Sequence, residues 1–378
     1  MAGEHSKESM FMSPCGEMLS HIDGHKVLIK MVETLLIKET FTCDGAINYL
    51  EWSADSCMLL CVALKEAVIH VFWVFEPNRN MRFHEGGSGL TTACFTPDGK
   101  GVLVSLRSGL SVRIYSLYHG ITHTLPGARV LANDLPGIAF SPDGKLLVVA
   151  ERQKDQLSLY SCKTWIALQT LHCADLQGMA WSPDSLSLAV WSKKHHQQSK
   201  LQIFLLDGHC LYSETKNDGA ICNAVWSPSS HMLAISDCDS KYLKILNCLT
   251  WSVIAELEPA RDLLEAGLDD IVHDVVSLQS EICSLSILSS ICKQKKFSEC
   301  KHKLLSFSEC GQFLSVADGP AVWIWDCGRL ISLIEHNRPI SRLAWDTHGY
   351  LLIWATKEEV VRWNSKDQSL SRLAVKCL

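Results

Sequence analysis

A short polar turn that follows an aromatic residue recurs along almost the whole of this 378-residue sequence. The first turn residue stands at positions 13, 53, 96, 141, 182, 227, 308 and 346, so the spacing is 38 to 45 residues apart from one step of 81. A period near forty with a turn in every unit indicates a repeat array, in which each unit packs on its neighbours. The first copy is degenerate, and the aromatic residues of the other seven are Trp52, Phe95, Phe140, Trp181, Trp226, Phe307 and Trp345.

The unit around Ser141 shows how one repeat folds. Its turn, Ser141-Pro-Asp-Gly144, has proline where φ must be near −65° and glycine at the exit. Short runs rich in Val, Leu and aromatic residues predict four strands, at 135–140, 145–150, 157–160 and 164–168. One such sheet cannot bury both faces, but sheets arranged radially stack on one another. The regular period therefore favours an all-β propeller of seven or eight four-stranded blades over a β-sandwich.

Composition narrows the classes of function. The net charge of −6 argues against a nucleic-acid binder, which needs a clustered basic surface. No run of eighteen apolar residues predicts a membrane span, and the first residues do not resemble a secretory signal. Seventeen cysteines, an odd number without a Cys-x-x-Cys pair, predict buried reduced thiols rather than a disulfide framework. The sequence therefore favours the cytosol or the nucleus.

The sequence predicts a single propeller domain at 1–378, of which residues 1–9 form a disordered tail. The doubled step of 81 residues predicts an insert between blades at 256–303. An acidic start near Pro259 and an apolar repeat at helical spacing predict that the insert is partly helical, the remainder being irregular or disordered. The apolar face could pack on a blade or receive a partner helix. The candidate partner-binding residues on this face are Leu264, Leu268, Ile271 and Val275.

No catalytic, cofactor-binding or metal-binding residues are predicted. Gly86-Gly87-Ser88-Gly89 lacks the following Lys-Ser/Thr of a phosphate-binding loop, and no nucleophile elbow or carboxylate pair occurs. Cysteines in the insert, together with His302 and Cys310, have spacings that match no common zinc motif. The sequence therefore predicts neither an enzyme nor a small-molecule substrate.

One repeat ends in the literal pair Trp325-Asp326. Ser315, Asp318 and His302 precede it, and in WD repeats residues of these types form a buried hydrogen-bonded set that joins the strands of a blade. The last repeat offers His336, Thr356 and Trp363 for the same structural role.

Several stretches resemble one WD-repeat family in particular, the Wdr-eight (WRAP-type) family of centrosome and spindle-pole proteins. They include Tyr49-Leu-Glu-Trp-Ser-Ala-Asp-Ser56, and the similarity is good over 49–251 and looser over 304–363. The resemblance implies a WD-repeat propeller that binds a coiled-coil anchoring protein, with a minus-end-directed kinesin as a further partner. It also implies roles in tethering microtubule minus ends, in spindle organisation and in cilium assembly. The family usually has a further C-terminal repeat, which this sequence does not contain.

Two other readings remain open at this point. The first is a substrate receptor of a cullin ubiquitin ligase, in which an Arg or Lys commonly stands two residues after the Trp-Asp pair. Gly328 occupies that place here, and Arg329 follows one position later. The second is a generic WD-repeat scaffold in another complex.

Overall fold

The structure is a computed structural model that describes residues 10–109, 111–129, 131, 137–151, 154–193, 198–216, 220–237, 243–258, 272–274, 304–326, 328–355 and 359–374. The predicted tail at 1–9 and most of the predicted insert lie outside these residues. The described residues form eight antiparallel meanders, which decides between the seven and eight blades that the repeats allowed.

Four meanders belong to the first compact unit, Met1–His172. In each sheet the strands a, b, c and d follow one another in the chain and pair with their neighbours. A 3-10 helix, Gly86–Ser88, lies between sheets 2 and 3. The strands are β1 Met10–Met12, β2 Met18–Asp23, β3 Lys26–Met31 and β4 Ile37–Thr42 in sheet 1; β5 Tyr49–Trp52, β6 Met58–Ala63, β7 Val68–Trp73 and β8 Asn80–His84 in sheet 2; β9 Leu90–Phe95, β10 Gly101–Leu106, β11 Ser111–Ser116 and β12 Thr122–Pro126 in sheet 3; and β13 Ile138–Phe140, β14 Leu146–Ala150, β15 Gln156–Ser161 and β16 Ala167–His172 in sheet 4.

The other four meanders belong to the second compact unit, Cys173–Leu378. Sheet 7 carries a fifth strand, β25, which is described below. The strands are β17 Leu176–Trp181, β18 Ser187–Lys193, β19 Ser199–Leu205 and β20 Cys210–Lys216 in sheet 5; β21 Ile221–Trp226, β22 Met232–Asp237, β23 Leu243–Asn247 and β24 Val253–Leu257 in sheet 6; β25 Val272–Asp274, β26 Leu304–Phe307, β27 Phe313–Asp318, β28 Ala321–Asp326 and β29 Arg329–Glu335 in sheet 7; and β30 Arg342–Trp345, β31 Tyr350–Trp354, β32 Glu359–Asn364 and β33 Leu370–Ala374 in sheet 8.

The recurrent polar turn joins strands a and b in all eight sheets. In sheet 4 the Ser141 hydroxyl donates to Asp143 Oδ1 (2.6 Å) and accepts the amide of Leu146 (3.0 Å), so that the side chains close the turn. The fourth turn residue has φ between +60° and +85° in every copy. Glycine adopts this left-handed conformation without strain, which explains why it stands there in five of the eight turns.

The c–d turns are also left-handed in several sheets, and one of them corrects a strand boundary predicted above. The outer strand of sheet 4 begins at Ala167, not at 164. Trp165 has φ +57°, and its amide donates to the carbonyl of Ser161 (2.7 Å), which closes the turn before the strand starts. A bulky residue is rarely found in this conformation, so a strand was the natural prediction from its composition.

Apolar side chains fill the layers between neighbouring sheets within each unit. Val27 and Leu59 lie between sheets 1 and 2, and Val71 and Val104 lie between sheets 2 and 3. Each of these four residues is fully buried. Complete burial of such a side chain stabilises the folded state by about 1.5–3 kcal/mol. The stacking of sheets is therefore the main source of stability in each unit.

Within the predicted insert, Glu256 and Leu257 still belong to β24, and residues 272–274 form a separate strand. β25 pairs in parallel with β29, the outer strand of sheet 7, with Val272 opposite Leu333 and Asp274 opposite Glu335. Val272 lies within the apolar repeat for which a helix was predicted above, so the helix prediction does not hold at this position. The pairing supplies hydrogen-bond partners to backbone groups at the edge of sheet 7, and the helical spacing of apolar residues gives no sign of such pairing.

Candidate protein-binding surface

Exposed apolar side chains concentrate at the c–d turns. Because strands alternate in direction, the a–b and c–d turns of a meander lie at the same end of its sheet. Most of the large apolar residues that are exposed among the described residues lie on c–d turns or on outer strands. They are Leu35, Leu36, Ile37, Phe75, Tyr118, Ile121, Ile166, Leu168, Leu211, Leu249, Val253 and Ile254. Apolar groups repeated at one end of adjacent sheets are typical of an interaction surface.

In the first unit, cations join these turns across sheets 1 to 3. Lys38 Nζ of sheet 1 lies 3.9 Å from the centre of the Phe75 ring of sheet 2. The Arg79 guanidinium of sheet 2 lies 4.2 Å from the centre of the Trp73 ring and 5.6 Å from that of Tyr118 in sheet 3. These distances are those of cation–π contacts. We call this surface the ridge; it consists of Leu36, Ile37, Lys38, Phe75, Arg79 and Tyr118.

Ring contacts occupy the same place between other neighbouring sheets. His123 of sheet 3 lies 6.3 Å from Trp165 of sheet 4, measured between ring centres. In the second unit, Tyr212 of sheet 5 stacks on Trp251 of sheet 6 at 5.4 Å. Both tryptophans have positive φ values, +57° and +55°, and the amide of each donates to the carbonyl four residues earlier, Ser161 or Asn247, at 2.7 Å. These c–d turns are therefore closed by their own backbone bonds and also contact the neighbouring sheet.

A buried carboxylate links sheets 2 and 3. Glu85, whose side chain is fully buried, accepts a hydrogen bond from Arg113 Nη1 (2.6 Å) and another from the Tyr115 hydroxyl, both on β11. Burial raises the pKa of Tyr115, and the bond to Glu85 adds to that shift. An ion pair that leaves one carboxylate wholly out of water makes the relative position of the two sheets specific.

Sheets 5 and 6 are joined by a similar link. Lys244 Nζ of β23 lies 2.6 Å from Glu214 Oε1 of β20, and the Tyr212 hydroxyl donates to the other oxygen of Glu214 (2.9 Å). Burial raises the pKa of Tyr212, and so do the hydrogen bond and charge of Glu214. Arg113 and Lys244 stand at the same place in their sheets, three residues before the end of strand c. The two links therefore belong to the repeat pattern.

A histidine takes that place in sheet 2. His70 Nε2 accepts the backbone amide of Asp44 (3.2 Å), and the Asp44 carboxylate also bonds Arg82 at 2.7 Å. Burial lowers the pKa of His70, although the Asp44 carboxylate, 3.5 Å away, opposes the shift. The neutral imidazole is the form that can accept the Asp44 amide.

The aromatic residues before the turns contact the preceding sheet. Trp52 Nε1 donates to Ser20 Oγ (3.0 Å) and to the Phe11 carbonyl (3.2 Å) of sheet 1. Trp226 Nε1 donates to the Ala180 carbonyl of sheet 5 (3.1 Å). Phe95 and Phe307 are buried, whereas Phe140, Trp181 and Trp345 are half-buried.

Ser315, assigned above to a set within its own blade, also bonds to the following sheet. Its hydroxyl donates to the Ser306 carbonyl (3.0 Å) and accepts Trp345 Nε1 of sheet 8 (3.0 Å). Trp325 is buried and stacks on Trp323 with ring centres 6.3 Å apart, and Asp318 is half-buried at the end of β27. The Ser–Trp contact therefore runs between sheets 7 and 8, as the Ser20–Trp52 contact runs between sheets 1 and 2.

The final repeat places Trp363 in a fully buried position with an edge-on contact to Phe313 at 6.3 Å. Its Nε1 has no hydrogen-bond partner among the described residues. His336 is buried, and its Nδ1 accepts the amide of Arg338 (3.0 Å). His302 and Thr356 lie outside the described residues.

The predicted partner-binding residues Leu264, Leu268, Ile271 and Val275 also lie outside the described part of the chain. Within that part, no cluster of three His, Cys, Asp or Glu side chains could hold a metal ion. The helices found there include none with the length and apolarity that a membrane crossing requires. Among the cysteines that the structure describes, ten are free thiols, as expected for reduced thiols, and Cys222 is disulfide-bonded, which the sequence did not predict.

Eight four-stranded antiparallel sheets with a common turn chemistry define an all-β WD-repeat β-propeller. The chain is 28% identical over 375 residues to WD repeat-containing protein WRAP73 of Mus musculus, which covers 88% of this chain and 79% of that protein. This similarity supports a WRAP-type WD-repeat protein. An uncharacterized WD repeat-containing protein of Schizosaccharomyces pombe is 25% identical over 265 residues, covering 65% of this chain and 53% of the relative.

Solved structures show the same fold. A complex of the dihydro-heme d1 dehydrogenase NirN covers 99% of this chain and 76% of its own, with a TM-score of 0.59 and 12% identity. A eukaryotic initiation factor covers 87% of this chain and 78% of its own, with a TM-score of 0.58 and 15% identity. At these identities the likeness carries no functional conclusion. No protein-family model matches the sequence.

The ridge was missed by the sequence analysis above. Its signal is weak, since it consists of one to three apolar residues just after strand c, in runs that also resemble the start of a strand. What marks them as a surface is their exposure together with their alignment across sheets. Neither property can be read from a single repeat.

Proposed function

We propose that this chain is a non-enzymatic scaffold that binds protein partners at the centrosome or spindle pole. The observation that carries the proposal is the series of exposed apolar side chains at the c–d turns, held by contacts between neighbouring sheets. A rigid array of sheets that presents ordered turns is suited to binding rather than to chemistry. The similarity to mouse WRAP73 supports placing this scaffold in the same cellular setting.

The partner in this proposal is a coiled-coil anchoring protein, with a minus-end-directed kinesin as a second component. Through this complex the chain helps to tether microtubule minus ends, to organise the spindle and to support cilium assembly. Its place is the cytoplasm and cytoskeleton, at the microtubule-organising centre. These roles follow the family resemblance, and the exposed turns supply a physical means of attachment.

Affinity capture from dividing cells tests the proposal. The full chain, tagged and expressed near its natural level, is expected to recover coiled-coil proteins of the microtubule-organising centre. Recovery of cullin-ligase adaptors without such proteins would favour a ligase receptor instead. A set of captured proteins without any microtubule-organising component would contradict the centrosomal role and leave the fold untouched.

A further inference from the structure

We propose that the ridge in sheets 1 to 3 is a docking site for an acidic amphipathic helix of a partner protein. This inference rests on the proposed scaffold function and specifies the surface and the chemistry of the contact. It concerns the first compact unit alone, and every residue it uses is described.

The ridge is apolar and open to solvent. Leu36 is 68% exposed and Phe75 is 58% exposed, and Ile37 and Tyr118 are exposed as well. Residues 76 to 80 of the same turn as Phe75 line a shallow open depression of about 520 Å³. Aromatic side chains and arginine are the residues most often found at the energetic centres of protein interfaces. The ridge combines both types with aliphatic groups beside them.

Cations are built into the ridge and held in place. Lys38 and Arg79 lie against the Phe75, Trp73 and Tyr118 rings, which limits the positions their charges can take. Ordering them in the free protein lowers the entropy lost when a partner pairs with them. Glu76 lies 3.3 Å from Arg79, but the Glu76 side chain is 61% exposed and that of Arg79 is 39% exposed, so the pair is screened by water and a partner carboxylate can compete for the guanidinium. The two charged groups against the aromatic rings, Lys38 and Arg79, are both positive, although the whole chain has a net charge of −6.

The shape of the ridge suits a helix. Packed sheets lie about 10 Å apart, so turns of three consecutive sheets extend over about 20 Å. A helix of about fourteen residues has this length, since each residue adds 1.5 Å. Apolar residues at helical spacing would cover Leu36, Phe75 and Tyr118 in turn, and acidic residues beside them would meet Lys38 and Arg79. The occupant is thus a leucine-rich helix with glutamate or aspartate flanking its apolar face.

Binding of a designed peptide to the full chain tests this inference. The probe is a helical peptide of about eighteen residues, long enough to cover the ridge, with leucine on one face and glutamate on both sides of it. Its matched control carries lysine in place of each glutamate. We expect the acidic peptide to bind at least about tenfold more tightly than the basic one at low salt. Equal binding of the two peptides, or no binding of the acidic one, would overturn the proposal.

Substitutions in the ridge locate the contact. We expect Leu36→Ser with Phe75→Ser to weaken binding of the acidic peptide by about tenfold or more, and Lys38→Glu with Arg79→Glu to reverse the preference between peptides. Leu186→Ser is the matched control, because Leu186 is 57% exposed on the a–b turn of sheet 5, which belongs to the second compact unit, and is not part of the ridge. Unchanged thermal unfolding shows that the variants are folded. If the ridge variants bind like the unsubstituted chain, the helix does not dock there.

Two further experiments distinguish the ways in which the proposal could be wrong. Vesicles containing phosphatidylserine test whether the cations and rings serve a lipid surface instead; binding to vesicles but not to the acidic peptide contradicts the helix. Capture from dividing cells with the Leu36→Ser, Phe75→Ser variant separates this inference from the scaffold function. If that variant still recovers microtubule-organising proteins, the ridge is not their site and the scaffold function stands.

Discussion

At the scale of single residues, a serine at the end of an a–b turn has a strained backbone conformation, and its hydroxyl bonds to the turn of the preceding sheet. Ser230 has φ +61°, and its hydroxyl accepts the amide of Asp184 in the neighbouring turn (3.0 Å). Ser56 makes the same contact with the amide of Cys15 (3.0 Å). Glycine would relieve the strain but could not make the bond.

The two effects can be separated at Ser230. Alanine keeps the left-handed strain and loses the bond, so Ser230→Ala should lower the free energy of unfolding by about 1–3 kcal/mol. Ser230→Gly loses the same bond but relieves strain, so its loss should be smaller. Urea unfolding of the two variants and the parent measures the order. Alanine as stable as glycine would show that the strain contributes little, and alanine as stable as the parent serine would show that the hydroxyl bond contributes little.

His70 is expected to make the stability of the fold depend on pH. Burial lowers its pKa in the folded state below the value near 6.5 expected for the unfolded chain. Its contribution to stability is therefore complete above that value and is lost as the pH falls through the lower, folded pKa. The parent should lose stability between about pH 7 and pH 5, and His70→Asn should lose less over the same range. Unfolding midpoints of both proteins at the two pH values test this, and parallel losses would assign the effect to other groups.

At the scale of elements, paired sheets are fastened by carboxylate–cation links as well as by their apolar layers. The link between Glu85 and Arg113 joins the loop after sheet 2 to the third strand of sheet 3. Arg113→Met would leave a buried carboxylate without its cation. We expect a loss of about 2 kcal/mol, below the range for a fully buried pair because the Arg113 side chain is 37% exposed.

The double variant Glu85→Gln, Arg113→Met supplies the control for this link. Without the carboxylate, the arginine substitution should cost far less, and the difference between the two costs is the coupling between the side chains. Urea unfolding of the four proteins measures it. Additive losses would mean that Arg113 acts through packing alone.

These elements also show how far sequence reasoning reached. The turn at Ser141-Pro-Asp-Gly144 implied its own geometry, because each residue type favours one backbone conformation, and its recurrence then implied the propeller. The strand at Ala167 was misplaced because Trp165 adopts a left-handed conformation that is rare for a bulky residue and closes a turn with Ser161. The contact of Ser315 with Trp345, and the pairing of β25 with β29, join residues far apart in the chain. No local pattern predicts such contacts.

At the scale of the whole molecule, repetition has two consequences. It supplies stability, since each sheet buries its faces against neighbouring sheets. It also aligns the c–d turns, so that a few exposed apolar residues in each repeat add up to a surface large enough to bind a helix. The candidate site is thus a property of the array, which is why no single motif revealed it.

We propose that the array of sheets is a scaffold that is held at the spindle pole through the ridge. The direct measurement is the fraction of fluorescently labelled chain at the poles of dividing cells, for the parent, the Leu36→Ser, Phe75→Ser variant and the Leu186→Ser control at equal expression. We expect the parent and the control to concentrate at the poles and the ridge variant to lose most of that signal. Equal fluorescence at the spindle poles for all three proteins, or no fluorescence there for the parent, would contradict the proposal that the ridge holds the scaffold at the pole.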